Sequence, residues 1–558
     1  MYIFVLLFIT LLTPDTLFAE PRTGVDTIYK NGNILTMNDS NDVVQAVAVK
    51  DGEIVAVGRN RDMRTLAGHK TEVVNLHRKT LMPGFYDAHS HFVFTGLASR
   101  FYVDLNSPPI GTINTLTEII EALRARANET PAGEWIQGFG YDDTLIAEQT
   151  HPTRADLDLA STEHPIFITH SSGHIAVANS LALELAGITA ATADPPGGVI
   201  SRDADGEPTG VLIEAPATDL VFSLIPPPTF SDLLAGIAHA SGNYAANGVT
   251  TANSGAAPAG FIPLLKFALA QGVLPIRVIV WPTLEEADAA NDFVLETNMI
   301  TVGGVKEFAD GSIQGYSGYL SEPYHVQPPG EFNFRGFPRH TREILVERLT
   351  EAHCKGYQSL VHGNGDAAID DILHAWAEAQ VLCPREDPRF VVIHSQMARE
   401  DQLDKMVELN AIPSFFMLHT FYWGDRHRDI FMGPERASRM SPARSAADRS
   451  LRFTIHNDTP VVPMNPLLSV WAAVNRLSTS GEIIGEDQRI TPIEALRATT
   501  IEAAYQNFEE EMKGSIEVGK LADFVILSAD PLEVVTDDIK DIRVLQTIVG
   551  GKTVYQTE

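Results

Sequence analysis

The sequence predicts an α/β protein: a (β/α)8 barrel, a β domain built from both ends of the chain, and a subdomain inserted into the barrel. Three features of the 558-residue sequence predict this fold. Strand candidates alternate with amphipathic helical segments through the middle of the chain, which is the pattern of parallel βα units. Short strands broken by turns occupy both ends. Residues 100–230 are too long for one crossover between neighbouring strands.

The two end segments resemble each other in their pattern of short strands and turns. Residues 22–80 contain short apolar runs, and Asn31-Gly32 and Asp51-Gly52 between them are hairpin signals. Residues 513–558 contain similar runs, with a turn at Gly550-Gly551. We therefore expect one β domain, with residues 81–512 inserted between its two parts.

The barrel region, residues 81–512, contains eight strand candidates. Amphipathic segments such as Thr341 to Lys355 and Ala367 to Val381 separate them. Residues 100–230 carry strands of their own, so we interpret them as the inserted subdomain. The barrel strand candidates are residues 81–91, 248–254, 275–281, 300–308, 358–362, 389–394, 410–417 and 452–457.

The composition excludes several classes of protein. Hydrophobic residues make up 44% and charged residues 20% of the chain, so neither a disordered protein nor a multi-spanning membrane protein is indicated. The formal charge of −31 repels polyanions, and no cluster of Lys or Arg offsets it locally. We expect a small-molecule substrate, no nucleic acid partner, and a homodimer as one open possibility.

The N-terminus has the pattern of an export signal. Ile3 to Leu12 form an apolar run that is too short to span a bilayer but typical of a signal peptide. We predict a signal peptide over residues 1–19, cleaved after Ala19, and a periplasmic or secreted protein without membrane contact after cleavage. The first residues lack the usual Lys or Arg, and an uncleaved membrane anchor is the alternative reading.

The chain has two cysteines, Cys354 and Cys383, which excludes a thiolate zinc cluster and a disulfide framework. Two interpretations remain open at this point. The two residues pair in an oxidising compartment, or both are small buried hydrophobic side chains.

Residues that can bind metal stand at the ends of five barrel strand candidates. Chemistry in such barrels lies at the carboxyl ends of the strands, so these side chains should converge. Each has a structural alternative, because a buried His often only forms hydrogen bonds and an Asp after a strand is often a turn residue. Unrelated structural roles would not often produce six such residues at one end of the barrel. They are His89, His91, Lys306, His362, His394 and Asp458.

These residue types suit a zinc centre that activates water. Zinc takes imidazole and carboxylate ligands, and two metals about 3.5–4 Å apart need a bridging anion. Lys306, if carboxylated by CO2, supplies that anion and the site holds two metals; a free Lys306 leaves one. Asp458 is the expected general base, which takes a proton from the attacking water and passes it to the departing nitrogen.

At these residues the chain resembles the metal-dependent amidohydrolase superfamily, in its amidohydrolase family 3 branch, which includes N-substituted formamide deformylase. The resemblance covers nearly the whole chain after the leader. It is carried by LMPGFYDAHSHF, by PIFITHSSGHIAVANSLAL, by VKEFADGS, by the His362 and His394 strands, and by GSIEVGKLADFVILSADP.

The resemblance implies a distorted TIM barrel with a composite β-sandwich domain, and hydrolysis of a C–N bond other than a peptide bond. It carries the ligand roles over to the six residues above, with Lys306 as the bridge. Two positions depart from the family pattern: His456-Asn457 replace small residues before Asp458, and Gly-Asn-Gly-Asp follows His362. Ester, lactone or phosphoester hydrolysis on the same centre is one alternative function, and a non-catalytic protein of this fold is another.

Four residues are candidates for substrate contact. His174 matches a family position and is expected to hold the substrate carbonyl or its oxyanion. Tyr141 belongs to a segment of the inserted subdomain that could form a lid. Trp423 and Arg436 follow the seventh strand and border the barrel mouth, where an aromatic residue suits an apolar N-substituent. A purely structural role is the alternative for each of them.

Overall fold

The computed structural model describes residues 24–295, 297–328 and 330–557. The predicted signal peptide, residues 1–19, lies outside this range. Among the described helices, none is both long and apolar enough to cross a membrane.

The first part of the chain is a series of short strands that leads into the barrel region. The predicted hairpin at Asp51-Gly52 is confirmed, because the two strands on either side of it pair antiparallel. The hairpin predicted at Asn31-Gly32 is wrong, because the strands before and after it pair with other strands in two different sheets. The strands are β1 (Thr27–Lys30), β2 (Asn33–Leu35), β3 (Val43–Val44), β4 (Ala46–Lys50), β5 (Glu53–Gly58), β6 (Glu72–Asn75), β7 (Thr80–Pro83) and β8 (Phe85–Tyr86).

The next part contains a mixed sheet with helices packed against it. Its strands follow the order β13-β14-β12-β11-β10-β9, and it buries an apolar core of its own. The strands of this sheet lie within residues 100–230, and the interpretation of that segment as an inserted subdomain stays a prediction. The elements are α1 (Phe92–Phe101), β9 (Val103–Asp104), α2 (Leu116–Glu129), β10 (Ile136–Tyr141), α3 (Arg154–Asp158), β11 (Ile166–His170), β12 (Ile175–Ala178), α4 (Ser180–Leu185), β13 (Val199–Arg202), β14 (Pro208–Ile213) and α5 (Ala215–Phe222).

The third part alternates strands and helices, as predicted. Its elements are α6 (Phe230–Ala246), β15 (Val249–Gly255), α7 (Phe261–Ala270), β16 (Arg277–Trp281), α8 (Leu284–Asn291), β17 (Ile300–Val302), β18 (Val305–Phe308), α9 (Arg342–Cys354), β19 (Ser359–Gly363), α10 (Asp366–Leu382), β20 (Val391–His394), α11 (Glu400–Glu408), β21 (Ile412–Phe415), α12 (Leu418–Arg426), α13 (Gly433–Ser438), α14 (Ala443–Asp448), β22 (Thr454–Ile455), α15 (Pro466–Asn475), α16 (Pro492–Ala498) and α17 (Ile501–Gln506).

The chain ends in three strands, β23 (Phe524–Leu527), β24 (Val544–Val549) and β25 (Lys552–Gln556). They join strands from the beginning of the chain in one sheet of order β25-β24-β23-β7-β2-β3. The contact between the two ends is the antiparallel pair β23–β7, in which Phe524 lies opposite Pro83. Both ends of the chain therefore contribute to a single sheet.

The strands of the barrel region form two parallel sheets, β17-β16-β15-β8 and β18-β19-β20-β21-β22. Their apolar side chains pack against the surrounding helices in the largest core of the protein. Parallel pairing brings the carboxyl ends of neighbouring strands to one edge of each sheet. Phe308 therefore lies opposite His362, and Gly363 lies opposite His394.

Two strand predictions in this region need correction. The predicted strand 81–91 is broken at Gly84, because β7 pairs with β23 whereas β8 pairs with β15. His89 and His91 lie beyond β8, in the segment that leads into α1, where the backbone bonds to neighbouring loops. His89 and His91 are therefore not strand residues, although the predicted strand included them. The predicted strand 300–308 is split at Gly303, where a Cβ atom would lie 2.6 Å from Trp281.

The two cysteines form a disulfide, which decides between the two interpretations of the sequence. Cys354 ends α9 and Cys383 follows α10, and their Cα atoms are 5.4 Å apart. The bond joins two neighbouring helices on the outside of the parallel sheet.

Candidate metal centre

The structure brings most of the predicted ligands together at the carboxyl ends of the parallel strands. His89 and His91 follow β8, Lys306 lies within β18, His394 ends β20, and Asp458 follows β22. All five side chains face one small region, although they come from four separate parts of the sequence. Their convergence supports the prediction that one end of the parallel sheets carries the chemistry.

Three imidazoles surround the carboxylate of Asp458. His89 Nε2 and His91 Nε2 lie 3.4 and 3.5 Å from Asp458 Oδ1, and His394 Nε2 lies 3.8 Å from Oδ2. A tetrahedral metal with ligands at 2.0–2.1 Å separates its ligand atoms by about 3.3–3.4 Å. The spacing of this group is therefore close to that of a ligand shell.

The electrostatic state of these residues also fits a metal. Burial, together with neighbouring positive charge, lowers the pKa of His89 and of His394 well below the usual range, so both are neutral. Burial alone would raise the pKa of Asp458, but its interactions with His91, His394 and His89 hold it well below the usual range. Asp458 Oδ1 is buried and has no hydrogen bond of normal geometry. Neutral imidazoles and an ionised carboxylate are the forms that bind a divalent cation.

The Lys306 side chain reaches the same cluster of histidines around Asp458. Its Nζ donates a hydrogen bond of 3.0 Å to His89 Nε2. The Trp281 ring stacks on the His89 ring at a centroid distance of 5.5 Å. Burial is the main cause that lowers the pKa of Lys306 to about 7. A substantial fraction of this amine is therefore neutral near pH 7, the form that reacts with CO2.

His362 lies beside the group rather than within it. Its ring centroid is 4.5 Å from that of His394, but its Nε2 donates to the carbonyl of Gly311 at 3.1 Å. This bond leaves Nδ1 as the nitrogen available to a metal. Within this site, the potential ligand atoms of His89, His394 and Asp458 lie within 4.8 Å of one another, and His91 is next to them.

Hydrogen bonds behind the ligands fix the orientation of two imidazoles. His91 Nδ1 donates to the carbonyl of Gly255 at 3.0 Å, which leaves Nε2 free to face Asp458. His394 Nδ1 lies 3.1 Å from His456 Nε2, and His456 Nδ1 lies 2.8 Å from Ser414 Oγ. Partners of this kind set the tautomer of a ligand. The sequence marked His456 as a departure from the family pattern, but it did not indicate that His394 is its partner.

His174, the candidate for substrate contact, lies next to His362 with ring centroids 5.0 Å apart. Its Nδ1 is 3.0 Å from Glu214 Oε2. Burial lowers the pKa of His174, but the carboxylate of Glu214 outweighs it, so the pKa is raised overall. Glu214 is a residue that the sequence reasoning missed, since it lies 40 positions from His174 in no recognisable motif.

The other three substrate candidates have structural contacts. The Tyr141 hydroxyl is 3.2 Å from His151 Nδ1. Trp423 Nε1 donates to Asp142 Oδ2 at 3.0 Å, so it ties α12 to the inserted sheet. Arg436 Nε donates to the Met432 carbonyl at 2.9 Å, on a different segment from the metal centre. Contact of these three residues with a substrate stays a prediction.

Comparison with known proteins places the chain among amidohydrolases. The amidohydrolase family matches residues 72–555. The chain is 29% identical over 554 residues to N-substituted formamide deformylase of Arthrobacter pascens, covering 95% of this chain and 98% of that protein. It is 27% identical to the putative amidohydrolase YtcJ of Bacillus subtilis, over 95% and 99% of the two chains.

A solved structure agrees with the sequence relatives. An uncharacterized metal-dependent hydrolase from Pyrococcus horikoshii superposes with a TM-score of 0.72 at 26% identity, over 91% of this chain and 99% of that one. The resemblance predicted from the motifs around His89 and His174 is thus confirmed over nearly the whole length of the chain. This protein belongs to the amidohydrolase family.

Proposed function

We propose that this protein is a metal-dependent hydrolase that cleaves the C–N bond of a small N-formyl or N-acyl compound other than a peptide. The observation that carries the proposal is the buried Asp458 carboxylate with three histidine nitrogens between 3.4 and 3.8 Å from its oxygens. The 29% identity to a formamide deformylase over the whole length supports the substrate class.

A closed eight-stranded barrel is part of the proposal. The segments after the first and last barrel strands bond to each other, since Asp458 N donates to His89 O at 3.1 Å and His91 N donates to Thr459 O at 2.9 Å. Between the two parallel sheets, Lys306 N donates to Pro282 O at 2.8 Å. These bonds support closure, which would enclose the ligands at one end of the barrel.

Zinc is the metal we propose, because neutral imidazole and carboxylate side chains suit it. Such a metal, when bound, lowers the pKa of a coordinated water and polarises the substrate carbonyl. His89, His91, His394 and Asp458 would hold it. Lys306, with its pKa lowered to about 7 by burial, would supply the bridging anion for a second metal if it were carboxylated.

Asp458 and His174 have separate roles in the proposed reaction. Asp458, ionised and buried, can take a proton from the nucleophilic water and return it to the leaving nitrogen. His174, whose ring centroid is 5.0 Å from that of His362, is the group that we propose to bind the carbonyl oxygen of the substrate. The nearly complete burial of His89, His394 and Lys306 keeps bulk water from these groups, which strengthens every charge interaction among them.

A pair of matched chromogenic substrates tests the reaction. We expect the zinc-loaded enzyme to hydrolyse 4-nitroformanilide or 4-nitroacetanilide, and to prefer the C–N bond of the anilide to the C–O bond of 4-nitrophenyl acetate when rates are compared with the uncatalysed reactions. Turnover of the ester alone would assign the protein to the esterase alternative. Folded, zinc-loaded protein that turns over none of the three would refute the hydrolase proposal.

The Asp458→Asn variant tests the role of the base. It should lower kcat by at least about 10²-fold while the fold is kept, because a general base contributes about 10²–10⁴-fold. Asp205→Asn, an exposed carboxylate in the turn between β13 and β14, is the matched control and should keep wild-type activity. Full activity of Asp458→Asn would remove this residue from its proposed role.

Export also remains a proposal. The Cys354–Cys383 disulfide supports it, because disulfides persist in oxidising compartments. Fractionation of cells that express the full chain, with N-terminal sequencing of the product, tests this. A product that starts at Glu20 in the exported fraction is expected, and a product retained with its first residues in the cytoplasmic fraction would contradict it.

A further inference from the structure

The inserted sheet presents a buried acid and histidine pair to the metal centre. His174 precedes β12 and Glu214 follows β14, and these strands pair antiparallel with Ile175 opposite Ile213. His174 and Glu214 are therefore the next opposed pair along the ladder. Glu214 N also donates to His174 O at 2.7 Å. The register of the sheet thus sets the two side chains against each other.

The contact between the two side chains determines which imidazole nitrogen is left for a ligand. His174 Nδ1 donates to Glu214 Oε2 at 3.0 Å, and the Glu214 side chain is 1% exposed and that of His174 14%. A ring held through Nδ1 presents Nε2 as its other polar atom. A carboxylate buried at this distance from an imidazole forms a charge-assisted pair, in which the second ring nitrogen is also a donor.

Two features of the backbone are needed for this contact. Glu214 has a φ of +65° and a ψ of +156°, a conformation that is costly for a residue with a side chain. Gly311 lies so close that a Cβ there would be 1.9 Å from Glu214 Oε1. Strained residues of this kind persist where the surrounding structure over-determines them, and often at functional sites.

The pair is joined to the predicted metal ligands. The His174 ring is 5.0 Å from the His362 ring, which is 4.5 Å from the His394 ring. Gly311, which makes room for Glu214, also accepts the hydrogen bond from His362 Nε2 at 3.1 Å. The inserted sheet therefore reaches the centre through His174, with Glu214 directly behind it.

We propose that Glu214 is a positioning residue that holds His174 with Nε2 directed at the carbonyl oxygen of the substrate. This inference rests on the proposed amide hydrolysis. Negative charge grows on that oxygen when water attacks, and a fixed donor stabilises the transition state more than the ground state. The inserted subdomain would then supply one catalytic group, and the barrel the base and the metal ligands.

Kinetics of four variants on 4-nitroformanilide test the assignment. His174→Ala should lower kcat about 10²–10³-fold, as loss of an oxyanion donor does. Glu214→Gln should lower kcat about 10–100-fold with little change in KM, as for partners that orient metal-ligating imidazoles. Adding Glu214→Gln to His174→Ala should cause no further loss. Glu207→Gln, an exposed carboxylate just before β14, is the matched control and should behave as wild type.

The double variant separates positioning from a merely structural role. If Glu214→Gln reduced kcat by the same factor whether or not His174 was present, Glu214 would act independently of His174 and the assignment would be overturned. Should the Gln variant not fold, Glu214→Asp keeps the charge with a shorter reach, and wild-type kcat in that variant would also overturn it. If the wild type is active and Glu214→Gln has the same kcat, only the role of Glu214 is refuted. If the wild type is inactive, both the proposed hydrolysis and the role of Glu214 are refuted.

Discussion

Replacement of His456 by Phe is the sharpest test of how the metal centre is organised. The His456 ring stacks on Phe416 with a centroid distance of 5.6 Å and an interplanar angle of 19°. A phenyl ring of similar shape can keep this packing. The substitution removes both polar contacts of the ring, to His394 Nδ1 at 3.1 Å and to Ser414 Oγ at 2.8 Å.

The expected magnitude follows from the lost acceptor. Without His456 Nε2, the Nδ1–H of the 3% exposed His394 has no acceptor, and a buried unsatisfied donor costs about 1–3 kcal/mol. The ring can avoid the cost by turning or changing its tautomer, and both take Nε2 away from the metal. Loss of such a partner lowers metal affinity about 10–100-fold. That factor corresponds to about 1.4–2.7 kcal/mol, which agrees with the cost of the unmade bond.

Competition between the protein and a chelator of known zinc affinity measures the effect. His353→Phe is the matched control, since His353 is a buried ring packed edge-on against Trp376 and is not part of the centre. We expect weaker zinc binding in His456→Phe and wild-type binding in the control. Ser414→Ala should have a smaller effect and add nothing to His456→Phe. Unchanged affinity in folded His456→Phe would refute the orienting role, and complete loss of binding would make His456 a ligand itself.

Two further predictions concern the periphery of the centre. Cys354→Ser/Cys383→Ser removes a cross-link between residues 29 positions apart, which should cost about 3.6 kcal/mol of unfolding free energy in the chain-entropy model; an unchanged urea midpoint would contradict it. Burial alone would raise the pKa of Asp142, but Arg426, 2.8 Å away, lowers it below its usual value. The ionised Asp142 therefore stabilises the folded state above about pH 4, and this stabilisation is lost as the pH falls below that value. Asp142→Asn should speed hydrogen exchange in residues 136–170 at pH 7 relative to the wild type. Equal exchange in the two proteins would refute a stabilising role for the Asp142–Arg426 ion pair.

The positions of the candidate ligands could be predicted because local sequence indicates where a buried strand runs and which residue ends it. A run of apolar residues such as Leu360 to Val361 indicates a buried parallel strand, and the residue at its carboxyl end must lie at one edge of the sheet. His362 and His394 follow from that rule, whereas Asp458 lies in the segment after β22. Their residue types suit a metal site.

The sequence rule did not predict how each ligand is oriented. His89 and His91 lie beyond the strand because loop contacts, not the alternation of a strand, hold them. His362 turns its Nε2 to Gly311 because a backbone carbonyl from a distant loop happens to lie there. Such contacts have no local signature, since they depend on where separate loops end in space.

By itself the sequence determined the alternation of strands and helices, the family, and which residues could bind a metal, because these depend on the identity and spacing of neighbours along the chain. Only the tertiary structure decided which atoms face one another. Glu214 behind His174 is 40 residues away, His456 behind His394 is 62 away, and Arg426 on Asp142 is 284 away. At such separations the contact is set by the packing of whole sheets and helices.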